Sequence, residues 1–281
     1  MKIALVTDST SYLPEEILKK YNVSVIPLNV IFENESYREG IEMTTEEFYE
    51  KVKSEEKLPT TSQPSIGELV NLYETLSKEH DAIISIHISK ALSGTYEASK
   101  TAGQMVENVE VYSVDAAITT MPQGFLVMEA GEMIQQGMTP ESIVTRLNQL
   151  SENMRAYFMV ADLGHLQRGG RLSGAQKLIG SLLNIKPVLY ITEGEIRPFE
   201  KIRSKNKALK RILDLLEKDA MNKSIQKVAF IHANNESGAL DLQKKFKDKH
   251  PKVETYVSYF GPVIGTHLGE DSLGIAWYFE S

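Results

Sequence analysis

Residues 81–104 read Asp81-Ala-Ile-Ile-Ser-Ile-His-Ile88, Ser89-Lys-Ala-Leu-Ser-Gly-Thr-Tyr96 and Glu97-Ala-Ser-Lys-Thr-Ala-Gly-Gln104. Ala82, Ile83, Ile84, Ile86 and Ile88 make a run dominated by β-branched side chains, the pattern of a strand covered on both faces in a parallel sheet. Ser93-Gly94-Thr95 stands where that strand hands over to a helix. Ser93 is a natural N-cap, but Tyr96 occupies the position where Glu or Gln would complete a capping box. The first-turn N–H groups are therefore only partly satisfied from within. Gly94 lets a ligand approach the backbone, and the positive helix end favours an anion or an electron-rich oxygen. A plain capped helix start and a ligand cradle both fit these residues.

Upstream, residues 3–7 form a strand, followed by Asp8-Ser9-Thr10-Ser11 and a helix that opens at Pro14 with Glu15 and Glu16 in its first turn. Residues 23–32 read as a second strand, 33–36 as a turn and 44–53 as a short acidic helix. Leu58-Pro-Thr-Thr-Ser-Gln-Pro-Ser65 is a hydroxyl-rich turn feeding a helix, with Ser65 and Glu68 in capping-box spacing. Downstream come a strand over 109–114, a long helix through Phe125 and Met133 ending near Gly137, and another helix opened by Thr139-Pro140. This alternation predicts an α/β domain over residues 1–153 with a doubly wound, mostly parallel sheet. Ligands of such sheets sit beyond the carboxyl ends of the strands, where Asp8, Ser9 and Ser93 fall.

From about residue 154 the pattern changes and predicts an α+β domain with a mixed sheet over 154–281. A strand covers 157–161, a turn 166–173 and an apolar helix 175–185. Leu172, Leu178, Ile179, Leu182, Leu183 and Ile185 supply the apolar side chains there, to line a tunnel or a plain core. A hairpin over 187–199 turns at Gly194. A basic helix carrying Lys205, Lys207, Lys210 and Arg211 follows. Strands at 228–232 and 253–260 flank a helix at 237–246, and a Gly-rich turn over 261–269 precedes a last strand at 274–279.

With 281 residues and 42% hydrophobic content the chain can supply two cores. A net charge of −7 disfavours nucleic acid and basic attachment to a membrane surface. The absence of cysteine excludes disulfides, thiolate metal sites and cysteine nucleophiles. The N-terminal apolar run is too short for a signal-peptide core, and no stretch approaches the roughly 20 apolar residues of a membrane span. A cytoplasmic protein is the expectation. No G-x-S-x-G, G-x-x-x-x-G-K-[ST] or G-x-G-x-x-G occurs, and the six histidines are scattered without H-x-x-x-H spacing, so neither a nucleotide cofactor nor a zinc site is expected.

What remains is a set of neutral donors. Thr61-Ser62, Ser93-Thr95 and Thr119-Thr120 are hydroxyl pairs at strand-to-helix or loop positions, suited either to capping or to holding a carboxylate or phosphate. His267, between Gly265-Thr266 and Gly269, reads as a ligand contact that can donate to an oxyanion in preference to a structural histidine. Arg168 and Arg171 surround a Gly-Gly pair and can clamp an anion or tie the domains together through salt bridges. Arg203, with the Lys-rich helix behind it, reads either as part of a solvated face or as a dock for a phosphoryl-handling partner.

Asp8-Ser9, Thr60-Thr-Ser-Gln-Pro-Ser65, Leu92-Ser-Gly-Thr-Tyr96, Leu166-Gln-Arg-Gly-Gly-Arg-Leu-Ser173 and Gly261-Pro-Val-Ile-Gly-Thr-His-Leu-Gly269 occur in one order along the chain. Together they resemble the DegV family of bacterial fatty-acid-binding proteins. The resemblance implies a long-chain fatty acid such as palmitate between the two domains, its carboxylate held by Thr61, Ser93 and His267. Ser62, Gly94, Thr95, Thr119, Gly265 and Thr266 accompany them. It also implies a carrier without cofactor or catalysis of its own, which presents the acid to a separate fatty acid kinase. Arg168, Arg171 and Arg203 are then the candidates for partner contact or phosphoryl transfer. One departure stands out: similar sequences carry Gly-Pro-Gly where this chain has Gly269-Glu270-Asp271, placing two carboxylates beside the expected head-group site. The alternative is an enzyme acting on a small phosphorylated or carbonyl substrate, as in related phosphotransferase or dihydroxyacetone kinase folds, and the lack of a nucleotide motif weighs against it.

Overall fold

The first strand, β1 (Ile3–Asp8), is buried at every position after Ile3, and Asp8 itself holds the following turn by accepting from the Thr10 backbone N–H at 3.1 Å. The computed structural model describes residues 1–55, 57–171 and 187–280. Helix α1 (Glu15–Lys20) has acids in its first turn and lysines in its last, as the backbone dipole favours. The apolar run expected as one strand over 23–32 is two. β2 (Val23–Ile26) pairs parallel with β1, whereas β3 (Asn29–Phe32) joins a different sheet, antiparallel to β4 (Glu35–Arg38). Pro27 stands at the break, where its missing N–H cannot feed a ladder.

Helix α2 (Thr45–Ser54) opens with a Thr44–Glu47 capping box. Residues 60–62, expected as part of a turn, form β5 (Thr60–Ser62) and complete a small antiparallel sheet in the order β4-β3-β5. The predicted Ser65–Glu68 capping box is present at the start of α3 (Ile66–Leu76). β6 (Ala82–His87) is buried at all its positions, as expected of a central strand. Then come α4 (Thr95–Met105), β7 (Glu110–Asp115), α5 (Met121–Gln135) and α6 (Pro140–Glu152), the last capped by Thr139. The sheet β2-β1-β6-β7 is parallel throughout.

The second sheet takes its strands from the remainder: β8 (Met154–Met159), β9 (Val188–Thr192), β10 (Glu195–Glu200), β11 (Ser224–His232), β12 (Glu254–Tyr259) and β13 (Leu273–Glu280). Their order is β10-β9-β8-β13-β11-β12, mixed because only β11 and β12 run parallel. The helices of this half are α7 (Leu163–Gly169), α8 (Lys205–Asn222), α9 (Glu236–Lys247) and α10 (Pro262–Leu268). Two expected turns are therefore helical: α7 covers the described start of 166–173, and α10 covers most of 261–269. The apolar helix expected over 175–185 lies outside the described residues.

α5 explains how the sheets are joined. It is apolar around nearly its whole circumference because it packs on the parallel sheet and on β11 and β13 at once. Phe125 meets Tyr256 and Tyr278 at ring distances of 5.6 and 5.7 Å. One continuous core runs from Leu5 and Ile86 through Phe125 to Phe158, Ile231 and Ala276. α3 and α4 cover the far face of the parallel sheet. Under α8 and α9, Phe230, Phe246 and the lone tryptophan, Trp277, fill the outer face of the mixed sheet, and the Trp277 indole N–H donates to Asp219 at 3.0 Å.

Candidate functional site

The polar positions singled out in sequence come from four separate elements. β5 carries Thr61 and Ser62 on the edge of the small sheet, and Val30 of β3 pairs directly with Thr61. Ser93 and Gly94 precede α4, Thr119 precedes α5, and His267 lies in the last turn of α10. Thr61, Ser62, Ser93, Gly94, Thr119, Arg171 and His267 all line one cavity of ≈ 320 Å³ between the two large sheets. Ile88, Phe158, Ile191, Ile231, Phe260 and Val263 make its other walls apolar. That volume falls in the range of small-molecule pockets, roughly 300–1,000 Å³.

His267 and Thr61 are in direct contact in the cavity wall, with Nε2 and Oγ1 3.0 Å apart. The other ring nitrogen, Nδ1, is buried without a partner because Gly169 lies behind it; a Cβ at 169 would fall 2.2 Å from it. A proton on Nδ1 would have no acceptor, which favours the tautomer with the proton on Nε2. Thr61 Oγ1 then accepts from the imidazole, and its own hydroxyl proton is free to donate into the cavity. Burial, reinforced by the positive Arg171 and by His165, pushes His267 down to about 4, so the ring is neutral at pH 7.

The remaining donors differ in detail from the expectation. Gly94 rather than Ser93 occupies the N-cap of α4, but the Ser93 hydroxyl accepts from the first-turn Thr95 backbone N–H at 3.4 Å, as expected, and pairs with Thr95 Oγ1 at 2.9 Å. Gly94 is needed because Gln63 lies against it, a Cβ there falling 1.9 Å from the Gln63 amide oxygen. Thr120, the second member of the expected Thr119-Thr120 hydroxyl pair, lines the cavity, as does Gln63, which was not expected as a site residue. Gln63 was visible only as part of a turn motif. Thr120 adopts φ 64°, ψ −154°, a region essentially open only to glycine, which costs about 1–3 kcal/mol. The Thr119 hydroxyl is buried without a partner. Ser62 accepts from the Asn29 amide at 3.3 Å.

Thr95, Gly265 and Thr266 do not line the cavity. Thr95 is fully buried behind Ser93, and the Thr266 hydroxyl donates to the Pro262 carbonyl at 2.9 Å. Gly265 is helical; its place in the motif reflects the crowding of Tyr49 and Phe48, which a Cβ would approach to 2.7 and 2.9 Å. Asp8 and Ser9 also turn away from the cavity, the first to His87 and the second to Glu39.

Beside the cavity, Lys57, His165, Arg168 and Arg171 border an open depression of ≈ 630 Å³ that shares Thr61 and His267 with it. Arg171 donates to the carbonyls of Gly169 and Leu92 at 2.6 and 3.3 Å. Neither Arg168 nor Arg171 forms an ion pair among the described residues, so the interdomain salt-bridge alternative finds no support there. Arg203 is exposed before α8 and borders neither space. Glu270 and Asp271 do not press on the histidine. Glu270 accepts from Asn234 at 2.6 Å and lies 3.3 Å from Lys53, and Asp271 accepts from Lys205 at 2.6 Å.

Asp8, His87 and Ser85 align with separations of 3.1 and 2.7 Å, reminiscent of a hydrolase triad. All three are fully buried, and the chain continues through Tyr73 and Ser99 to Ser113. It is an internal network that satisfies polar groups inside the parallel sheet. Among the described residues there is no cluster able to hold a metal ion, and no helix is long and apolar enough to cross a membrane.

A family model described as "Uncharacterised protein, DegV family" matches residues 2–280. "Protein DegV" of Bacillus subtilis is 51% identical over 281 residues, covering all of both chains. A solved structure described as "DegV, a fatty acid binding protein from Bacillus subtilis" superposes with a TM-score of 0.94 at 51% identity, and covers all of both chains. Another, described as "Fatty Acid Binding of a DegV family Protein from Thermus thermophilus", reaches 0.92 at 34% identity with the same complete coverage. With agreement running from one end of the sequence to the other and through the whole fold, this chain belongs to the DegV family.

Proposed function

We propose that this protein is a cytoplasmic carrier that binds a long-chain fatty acid between lobes formed by residues 1–153 and 154–281. In this reading Thr61, Ser93 and His267 hold the carboxylate and the apolar walls take the tail. The observation that carries it is that the Thr61–His267 pair, Ser93 and the unpartnered Thr119 hydroxyl all line one largely apolar cavity. Relatives at 51% and 34% identity, described as fatty-acid-binding, support the same ligand class. A neutral imidazole and hydroxyls supply neutral donors to the carboxylate, with Arg171 bordering the same cavity. Each buried CH₂ contributes about 0.8 kcal/mol, so a C16 tail gains on the order of 10 kcal/mol before ordering costs.

The carrier presents the carboxylate through the basic depression to a fatty acid kinase, with Arg168 and Arg171 beside the head group and Arg203 further out on the docking face. The Asp8–His87–Ser85 alignment is enclosed, so Ser85 is not an accessible nucleophile for the enzyme alternative. Organic extraction of the purified protein followed by mass spectrometry tests the ligand. One fatty acid per chain is expected; an empty extract, with no saturable uptake of added palmitate, would reject the reading.

A further inference from the structure

Glu39 lies in the connection between β4 and α2, 4% exposed, and it does not line the cavity. Its carboxylate accepts three hydrogen bonds: from the Ser9 hydroxyl at 2.5 Å, the Tyr12 hydroxyl at 2.9 Å and the Val263 backbone N–H at 2.8 Å. Val263 belongs to the first turn of α10, and the next N–H, that of Ile264, donates to the Tyr12 hydroxyl at 3.4 Å. α10 has no side-chain cap of its own, since its N-cap is Gly261. A Cβ at 261 would fall 2.4 Å from the Tyr12 ring and 3.1 Å from Glu39 Oε1, so the entry to this helix is shaped to sit on these two groups.

We propose that Glu39 is a positioning residue for the head-group site: it anchors the N-terminal turn of α10 and, through that two-turn helix, holds the His267 imidazole against Thr61. α10 has seven residues, about 10 Å of helix, too short to absorb a shift at one end before it reaches the other. The sides of the helix are also confined. Gly265 presses on Tyr49 and Phe48, and the Tyr49 hydroxyl donates to the Phe260 carbonyl at 2.8 Å. Three donors converge on the carboxyl group, whose two oxygens accept from all of them. A carboxamide of the same shape would turn an NH₂ against one of them. The inference rests on the fatty-acid reading above.

The test compares palmitate with hexadecanol, which has the same tail and no carboxylate, by displacement of a fluorescent fatty acid from the intact chain. Wild type is expected to prefer the acid. Glu39→Gln is expected to bind palmitate about tenfold more weakly and hexadecanol as before, because only the head-group geometry is disturbed. Tyr12→Phe, which removes one hydroxyl from the anchor, should lose part of the preference in the same direction and serves as the readout if Glu39→Gln does not fold. Undiminished acid-over-alcohol preference in the folded variants would overturn the positioning role. A wild type without that preference would reject the carboxylate reading itself, and this inference with it.

Discussion

His267 gains its character from what surrounds it more than from its place in a motif. Gly169 seals one nitrogen and Thr61 meets the other, while burial keeps the ring neutral. In the folded chain it titrates at about 4 against 6.5 for an ordinary histidine, so the unfolded chain binds the extra proton between those values. The stability associated with the neutral ring is complete above about pH 6.5 and is lost as pH falls towards 4. His267→Gln is expected to flatten that decline in urea midpoints measured from pH 6.5 to 4; an unchanged slope would refute the burial effect. Glu39 acts with the opposite sign. Desolvation raises it to about 7, so its contribution falls as pH rises from 4.5 through 7. Asp8, Tyr12, Tyr49 and Tyr259 are the titratable groups that interact with it. Ser93→Ala and Thr61→Val should each weaken fatty-acid binding about tenfold with the fold intact, read by fluorescent titration. The donor types of this site were legible in the sequence. Gln63 was not, because an amide in a turn announces itself only through neighbours distant in the chain, and the strained backbone of Thr120 is equally invisible there although its hydroxyl was read as half of a pair.

At the level of elements, chain order and type were read well wherever periodicity ran long, as in β6, α5 and α8. Short segments were misread. Pro59 and Pro64 bracket β5 so closely that three strand residues looked like a turn. The glycines of 261–269 suggested flexibility, although Pro262 sits at a first helical position, which proline favours. Gly265 and Gly169 are small because a neighbour needs the space. Gly169→Ala would place a methyl group where the imidazole ring lies, 2.2 Å from Nδ1. It is expected to reduce fatty-acid affinity more than tenfold while costing about 1–3 kcal/mol of stability. Equal affinity in the variant and the parent would mean that the ring can move without penalty.

Across the whole molecule, the two large sheets share α5 and one continuous core, so their separation would expose apolar surface on both. A polar clasp reinforces the joint: Glu129 of α5 accepts from Lys227 Nζ and from the Tyr278 hydroxyl, the latter at 2.6 Å, and Lys227 is 8% exposed. Glu129→Ala would strand a nearly buried ammonium group. It should cost about 2–4 kcal/mol in urea unfolding, which is expected to remain a single transition when followed by circular dichroism and by fluorescence. Two separated transitions would show that the halves unfold independently. This joint was not legible in sequence, since Glu129 and Lys227 are distant in the chain and each reads as an ordinary surface charge.

The indole of Trp277 looks away from the cavity, stacked on Tyr157 with ring centroids 5.5 Å apart beneath α8. Its emission should be blue-shifted when native and move to the red when the chain unfolds. The protein thus carries a built-in optical gauge of intactness, which separates a variant that has lost its cargo from one that has lost its shape.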